Sequence, residues 1–474
     1  MAQRVEEVAV VVVGAGPAGL AAAIELSRHD VPTLLVERRT ELSSHPRATG
    51  LSVRSMELVR AWRLEGDVRA RSVEVDSRML LCETLADAAV GAPVEVGYPS
   101  SEQSRMVSPT EPACLAQDDL ESVLFERVHE AAAARVELGV ELVGLVAAAD
   151  GARVELRDMS TGARRAVDAR YVVAADGAWS TVRRALGIPL VGPENVLEGW
   201  RVLFRAPLWD VVGEHRHLLY SVTHRAAPGV FLPAGRTDRW LFGLPGPDDA
   251  PDGQRAAELL RLAAGVPDLP VHVEETRRFS STAQLAERWR GGTVFLAGDA
   301  AHRVTPRGGM GLNLALQDGY DLGWRLSWVL RGWAAKSLLD CYEAERRPVA
   351  AHVAARSADP NGSTRPPEQE VRADLGGRIP HVWAAERCST LDLLGPGLTL
   401  FAQRDGVDWE AVAAAAAMHV PVRVRLLDPV VARAVGAPGG SALLARSDGM
   451  PVGVLPALVD PVRALGAALA TVAA

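Results

Sequence analysis

The stretch VAVVVVGAGPAGLAAAIELSRHDVPTLLVERR, from Val8 to Arg39, constrains this chain more than any other part of it. An unbroken apolar run to Val13 has the character of a strand buried on both faces, which is the signature of a central parallel strand. The turn Gly14-Ala15-Gly16-Pro17-Ala18-Gly19 follows, then a helix through about Arg28, then a second buried strand ending at Glu37. Gly14 permits the tight turn, Gly16 lets backbone N–H groups approach a pyrophosphate, and Gly19 lets helix and strand pack closely. Glu37 is placed to accept hydrogen bonds from a ribose 2′-hydroxyl, which disfavours a 2′-phosphate at that position. Strand, helix and terminal acid together predict dinucleotide binding, with NAD and FAD both open at this point.

Composition narrows the partners. The 474 residues are 48% hydrophobic and 23% charged, an ordinary globular balance sufficient for several domains. A net charge of −8 without a basic stripe argues against nucleic acid or an anionic membrane as partner. The four cysteines, Cys82, Cys114, Cys341 and Cys388, show no CxxC pair, so neither a disulfide framework nor a zinc knuckle is expected. No apolar segment reaches the roughly 18 residues of a membrane span, and a soluble cytoplasmic protein is expected. Lys336 is the sole lysine, so lysine-based covalent chemistry has one candidate residue.

Two later segments separate NAD from FAD. RYVVAADGAWSTVRRALGI places Asp176-Gly177 at the end of a strand from Tyr171 to Ala175, and GTVFLAGDAAHRVTPRGGMGLNLALQDGYDLGWRL places Gly298-Asp299 after a strand from Thr293 to Ala297. Asp299, at a strand end beside the first dinucleotide turn, can accept hydrogen bonds from ribityl hydroxyls, whereas Asp176 also reads as a helix N-cap. The glycine-rich turn that follows opens a helix at about Gly311, whose free N–H groups at Gly311, Leu312 and Asn313 suit the negative edge of a reduced flavin. Gly309 and Gly311 allow backbone to approach a flat ring.

With GxGxxG, these segments resemble the three fingerprints of the FAD-dependent aromatic hydroxylases, the flavoprotein monooxygenases typified by para-hydroxybenzoate hydroxylase. The resemblance covers nearly the whole chain and implies a cofactor-binding set of Gly14, Gly16, Ala18, Gly19, Glu37, Arg38, Asp176, Gly177, Asp299, Pro306, Gly309, Gly311, Leu312 and Asn313. It adds Gln117 in CLAQDDLESVLFERV, Arg47 in SHPRATGLSVRSMELVRAW, and Leu142 in ELGVELVGL as a backbone contact to adenine. Pro306 would present its carbonyl near the flavin N5, and Pro306 and Arg47 are the residues nearest the chemistry. The implied reaction is hydroxylation of a phenolic or polycyclic, polyketide-like aromatic with O2 and NADH or NADPH, through a flavin C4a-hydroperoxide. A substrate-side role for Arg307 is one expectation, a solvent-facing arginine the other.

His302 invites a metal or general-base reading, but no second ligand stands at suitable spacing, and packing or capping is the preferred assignment. No metal is expected. Flavin-dependent halogenases share the first fingerprint, but their WxWxIP segment and active-site lysine are missing here. A silent FAD-binding protein and an NAD-dependent dehydrogenase stay open as alternatives.

The expected architecture combines α/β and α+β parts. A discontinuous Rossmann-like FAD-binding domain spans 1–72, 105–187 and 280–359, and an antiparallel-sheet substrate domain spans 73–104 and 188–279. A linker occupies 360–378, and the resemblance implies a thioredoxin-like C-terminal domain at 379–474 that lacks CxxC. Trp200, Phe204, Tyr220, Phe231 and Phe242 are candidates to line a substrate pocket, with ordinary sheet core as the competing assignment for most of them. Monomer and homo-oligomer are both open. Composition and the C-terminal unit associate the chain with antibiotic biosynthesis.

Overall fold

The computed structural model describes residues 6–245, 250–404, 407–416, 419–456 and 460–473. Positions 1–5, 246–249, 405–406, 417–418, 457–459 and 474 of the expected domains lie outside the described residues. The valine run forms the strand Glu6–Val13, flanked in parallel by Arg164–Ala174 on one side and Thr33–Glu37 on the other. Val294–Leu296 and Ala134–Leu138 extend the parallel sheet outward. Helices cover its faces, which is why Val10, Val11 and Val12 are fully buried and the sequence shows no alternation there. Helix α1 (Pro17–Arg28) starts from Gly16 with a proline in its first turn and no side-chain cap.

Helix α2 (Val53–Ala61) is capped by Ser52, whose hydroxyl accepts from the Ser55 N–H. The twenty-residue α3 (Gly311–Leu330) lies against α1. Glycine makes that approach possible: a Cβ at Gly319 would fall 2.1 Å from the Ala18 carbonyl oxygen, and one at Gly323 would fall 2.5 Å from the Glu25 Cβ. Close packing at small residues locks the two helices side by side, so Gly319 lies at the start of α1 and the start of α3 projects about 12 Å beyond it. Gly298 fits between Ala18 and Ala315, where a Cβ would meet theirs at 3.1 and 3.3 Å.

The second sheet has seven strands, in the order His272–Ser281, Leu197–Arg205, Arg239–Leu244, Gly229–Pro233, His217–Val222, Asp76–Cys82 and Ala92–Val94. All pairings are antiparallel except the one between His217–Val222 and Asp76–Cys82. One face carries Trp200, Phe204, Tyr220, Phe231, Trp240 and Phe242 into a core shared with helix Gly253–Ala264. Four of the five aromatics considered as pocket lining, Phe204, Tyr220, Phe231 and Phe242, are completely buried there, and Trp200 joins the same core. They are sheet core because alternation along each strand sends them to the face covered by helix Gly253–Ala264.

The C-terminal sheet runs Val422–Leu427, Leu398–Gln403, Ala442–Ala445, Pro451–Leu455, the first pair parallel and the rest antiparallel. With helices Trp409–Ala415, Pro429–Val435 and Pro461–Ala473 it has a thioredoxin-like arrangement. It is joined to the rest by side chain to backbone bonds, from Arg54 Nη2 to the Asp448 carbonyl (2.8 Å), Tyr320 Oη to Ser447 (3.1 Å) and Trp328 Nε1 to Pro396 (2.9 Å). The stretch expected as linker carries a helix, α4 (Pro367–Leu375), started by proline and ended by Gly376 in the left-handed conformation. Among the described residues, no helix is long and apolar enough to cross a membrane.

Candidate functional site

Each glycine turn has a backbone reason for its glycine. Gly14 has φ +104°, and a Cβ there would lie 2.4 Å from the Ala175 carbonyl oxygen, so the first and second fingerprints touch. Gly16 has nothing within 4 Å of where its Cβ would be, leaving the uncapped start of α1 open. The Glu37 carboxylate accepts from the Ala15 N–H (2.9 Å) and the Arg39 N–H (3.0 Å). It therefore closes the turn itself, and only its remaining lone pairs are available to a ribose. Arg38 is exposed beside it, and Ala18 is buried against Gly298.

At the second fingerprint, Asp176 Oδ2 accepts from the Val182 N–H at 3.1 Å, whereas Oδ1 is buried without a partner. Burial raises its pKa. An orphaned buried acceptor is costly, and a ligand hydroxyl is the kind of group that would satisfy it. Gly177, at φ +80°, again borders open space. Asp299 is exposed on the short turn Gly298–Ala300.

His302 is fully buried and takes no open position. Its Nε2 lies 2.6 Å from Asp318 Oδ2, which also accepts from the Gly298 N–H (3.1 Å), while Arg346 Nε reaches Asp318 Oδ1 (2.9 Å). Burial alone would raise the Asp318 pKa, but His302 and Arg346 outweigh it and hold the carboxyl below its usual value. This triad pins the Gly298-Asp299 turn to α3.

The loop beyond it turns back on itself. The Pro306 carbonyl accepts from the Gly309 N–H at 3.0 Å, with Gly308 and Gly309 at φ +81° and +65°. Helix α3 then begins at Gly311 after Met310, with no side-chain cap, so its first N–H groups are free for a ligand. Asn313 is completely buried: Oδ1 accepts from the Ser52 N–H (2.8 Å), and Nδ2 donates to the carbonyls of Gly50 and Gly309 and to the Tyr98 hydroxyl, each at 3.1 Å. The Tyr98 hydroxyl is also within reach of the Gly309 carbonyl (3.0 Å) and the Gly50 carbonyl (3.3 Å). Leu312 is buried beside it. The Asn313 side chain is thus a clamp, and the ligand-facing groups there are backbone N–H donors. Arg307 is half-buried, and Asp359, whose carboxyl is held below its usual value first by the Asn361 N–H and then by Arg365, also feels its charge.

Several residues of this framework went unread in the sequence. Tyr98 comes from the segment assigned to the sheet domain. Asp374 on α4 accepts from the Ser52 hydroxyl (3.0 Å), the Arg54 N–H (3.0 Å) and Gln317 Nε2 (2.8 Å), so the C-terminal region braces the start of α2. Arg356 supports Gly308 from below, bonded to Glu370 (2.9 Å) and to the Val96 carbonyl (2.8 Å). Gln117 donates to Glu121 (2.7 Å), and Arg47 is exposed within electrostatic range of Glu121. Leu142 pairs with Leu156 and its side chain is in the core. Among the described residues one trio of acids has ligand-like proximity, Asp321, Glu345 and Asp448, but Arg325 and Arg446 already bridge it.

The open space at Gly16 and Gly177, the unpartnered Asp176 oxygen and the uncapped starts of α1 and α3 fit an extended dinucleotide carrying a flat ring. Comparison with known proteins agrees. A family model described as FAD binding domain matches residues 7–357. The chain is 34% identical to tetracenomycin B2 monooxygenase-dioxygenase of Streptomyces olivaceus and 35% identical to aklavinone 12-hydroxylase RdmE of Streptomyces purpurascens, over 94% of each chain in both cases. A crystal structure of aklavinone-11 hydroxylase with FAD and aklavinone superposes with TM-score 0.88 at 31% identity, covering 99% of this chain and 100% of that one.

Proposed function

The chain belongs to the FAD-binding family that this match defines, and from that premise we propose that it hydroxylates a phenolic or polycyclic, polyketide-like aromatic using O2, with NADH or NADPH as electron donor. It is an FAD-dependent monooxygenase. Bound FAD supplies two-electron redox chemistry and activation of oxygen; the protein supplies binding, orientation and a dry site. Gly14 and Gly16 present the start of α1 to the pyrophosphate, and Asp176 and Asp299 accept from hydroxyls along the cofactor. The N–H groups of Gly311, Leu312 and Asn313 stabilise negative charge on the ring edge when it is reduced. The Asn313 and Tyr98 clamp holds the Pro306–Met310 loop in shape.

The observation that carries this reading is the orphaned Asp176 oxygen beside the Gly14 turn and the uncapped start of α1, with α3 packed alongside α1 through Gly319 and Gly323 and beginning, also uncapped, about 12 Å before that contact. Purification tests it: the protein is expected to be yellow, with NADH or NADPH oxidation stimulated by an aromatic polyketide. A colourless protein that oxidises a substrate with NAD would identify a dehydrogenase. A yellow protein with no substrate-stimulated turnover would identify a silent flavoprotein.

A further inference from the structure

The second face of the seven-stranded sheet meets the segments around Ser44 and Asp118. Arg239, on that face, bonds Asp118 Oδ2 (2.6 Å) and the Ser44 carbonyl (2.5 Å), and His45 lies 3.5 Å from Glu275. Strand register sets a row of aliphatic side chains here, Leu203 opposite Leu241 opposite Leu232, with Leu219 paired to Met79 farther along. These residues pack apart from the aromatic core on the other face.

Charged residues also stand on this face: Arg239 and Glu275 have the partners just named, and Arg201 lies in the same register. Arg201 stands opposite Gly243 on one side and Arg277 on the other. Beyond Gly243 the same row continues with Val230 and Ser221, none of them large. A Cβ on Gly243 would meet nothing nearer than the Val230 carbonyl at 4.0 Å, so there is room beside Arg201. The Arg201 guanidinium is half-buried, yet among the described residues it makes no hydrogen bond or ion pair. Burial lowers its pKa, Glu275 acts against this, and Arg47 and Arg277 add to it. A half-buried guanidinium whose nitrogens are left to solvent is a ready site for an anionic oxygen, which meets it with planar, two-point hydrogen bonding.

We propose that Arg201 is a specificity residue, which receives a carboxylate or phenolate oxygen at one end of a flat aromatic substrate whose rings lie along Leu203, Leu241 and Leu232. This rests on the hydroxylase reading above and narrows it to anionic aromatics. The same chemistry, an anionic oxygen, occurs on the phosphates of the nicotinamide donor and of FAD, and the experiment separates those sources.

The test uses FAD-loaded protein, titrated with anthraquinone-2-carboxylate and with 2-methylanthraquinone and followed by the change in flavin absorbance. Wild type is compared with Arg201→Met, which keeps the apolar stem, and with Arg201→Lys, which keeps the charge. The carboxylate is expected to bind wild type more tightly than the neutral probe, to lose about tenfold or more in Arg201→Met, and to recover part of that loss in Arg201→Lys. Binding of the neutral probe, retention of FAD, and the donor concentration giving half-maximal flavin reduction are expected to change less than about twofold. Equal binding of both probes to wild type, binding of neither, or equal losses for both in Arg201→Met would overturn the proposal. So would a loss confined to NADH or NADPH, or to FAD. Protein that purifies without flavin would instead contradict the hydroxylase reading itself.

Discussion

Replacing Asn313 by aspartate changes one donor group into an acceptor at constant volume, at a site where that exchange has a calculable consequence. The retained oxygen still accepts from the Ser52 N–H, but the amide donor to the Gly50 and Gly309 carbonyls and to the Tyr98 hydroxyl is gone. Tyr98 has one proton and can satisfy one of the two carbonyls. The other is left buried without a donor, at about 1–3 kcal/mol, and faces the new oxygen across a distance of about 3 Å. We expect about 3 kcal/mol in total, near 6 °C or more in the unfolding midpoint for a unit of this size. The introduced carboxyl prefers its protonated form among carbonyl oxygens, so its folded pKa rises above the unfolded value of about 3.9. The penalty is therefore small below that value and grows as pH rises through the folded pKa. Thermal unfolding and FAD retention at pH 5 and pH 8 provide the assay, with Asn313→Ala as a control whose deficit does not vary with pH. A variant matching wild type at both pH values, or a deficit that shrinks as pH rises, would refute the clamp.

Other consequences follow from packing and charge. Gly319→Ala gains about 1 kcal/mol of helix propensity, but its methyl group collides with the Ala18 carbonyl; a net loss of about 1–2 kcal/mol and weakened FAD retention are expected in thermal melts with and without added FAD. Glu57→Ala strips buried Arg378 of its carboxylate partner (Nε to Oε2, 2.8 Å), at about 3–5 kcal/mol, and calorimetry should show the midpoint fall accordingly. Glu25 is fully buried, and although burial alone would raise its pKa, Arg28, His29 and Trp62 bring it down to about 2. Its stabilisation is complete above the unfolded value and is lost as pH falls from about 4.5 to about 2, so Glu25→Gln is expected to be less stable at pH 7 and to lose less than wild type on acidification.

The parts of the fold legible in the sequence are those with local causes. Gly14 takes φ +104° and a Cβ at Gly19 would fall 1.9 Å from the Gly14 carbonyl oxygen, causes that lie within six residues, and the valine run declares a strand covered on both faces. The thioredoxin-like order of the C-terminal strands was likewise expected from resemblance. The helix Pro367–Leu375 had its signals in plain view, a proline start and a glycine stop, but its Pro/Gly-rich surroundings read as linker. Face assignment was the harder matter. Strand alternation separates Trp200, Phe204 and Phe242 from Arg201, Leu203 and Leu241, but does not say which set meets the cofactor side; the aromatics went to the core shared with helix Gly253–Ala264. An arginine set between Trp200 and Val202 in the apolar middle of its strand was the available clue. Tyr98 and Asp374 had no such clue, because their partners lie 215 and 322 residues away.

The most direct test of the account is turnover under ¹⁸O2, with the aromatic product analysed by mass spectrometry. The account predicts that purified yellow protein, given NADH or NADPH and a phenolic polyketide, places one ¹⁸O atom in the product for each hydroxylation. Product oxygen drawn from water, or product formed without O2, would contradict it.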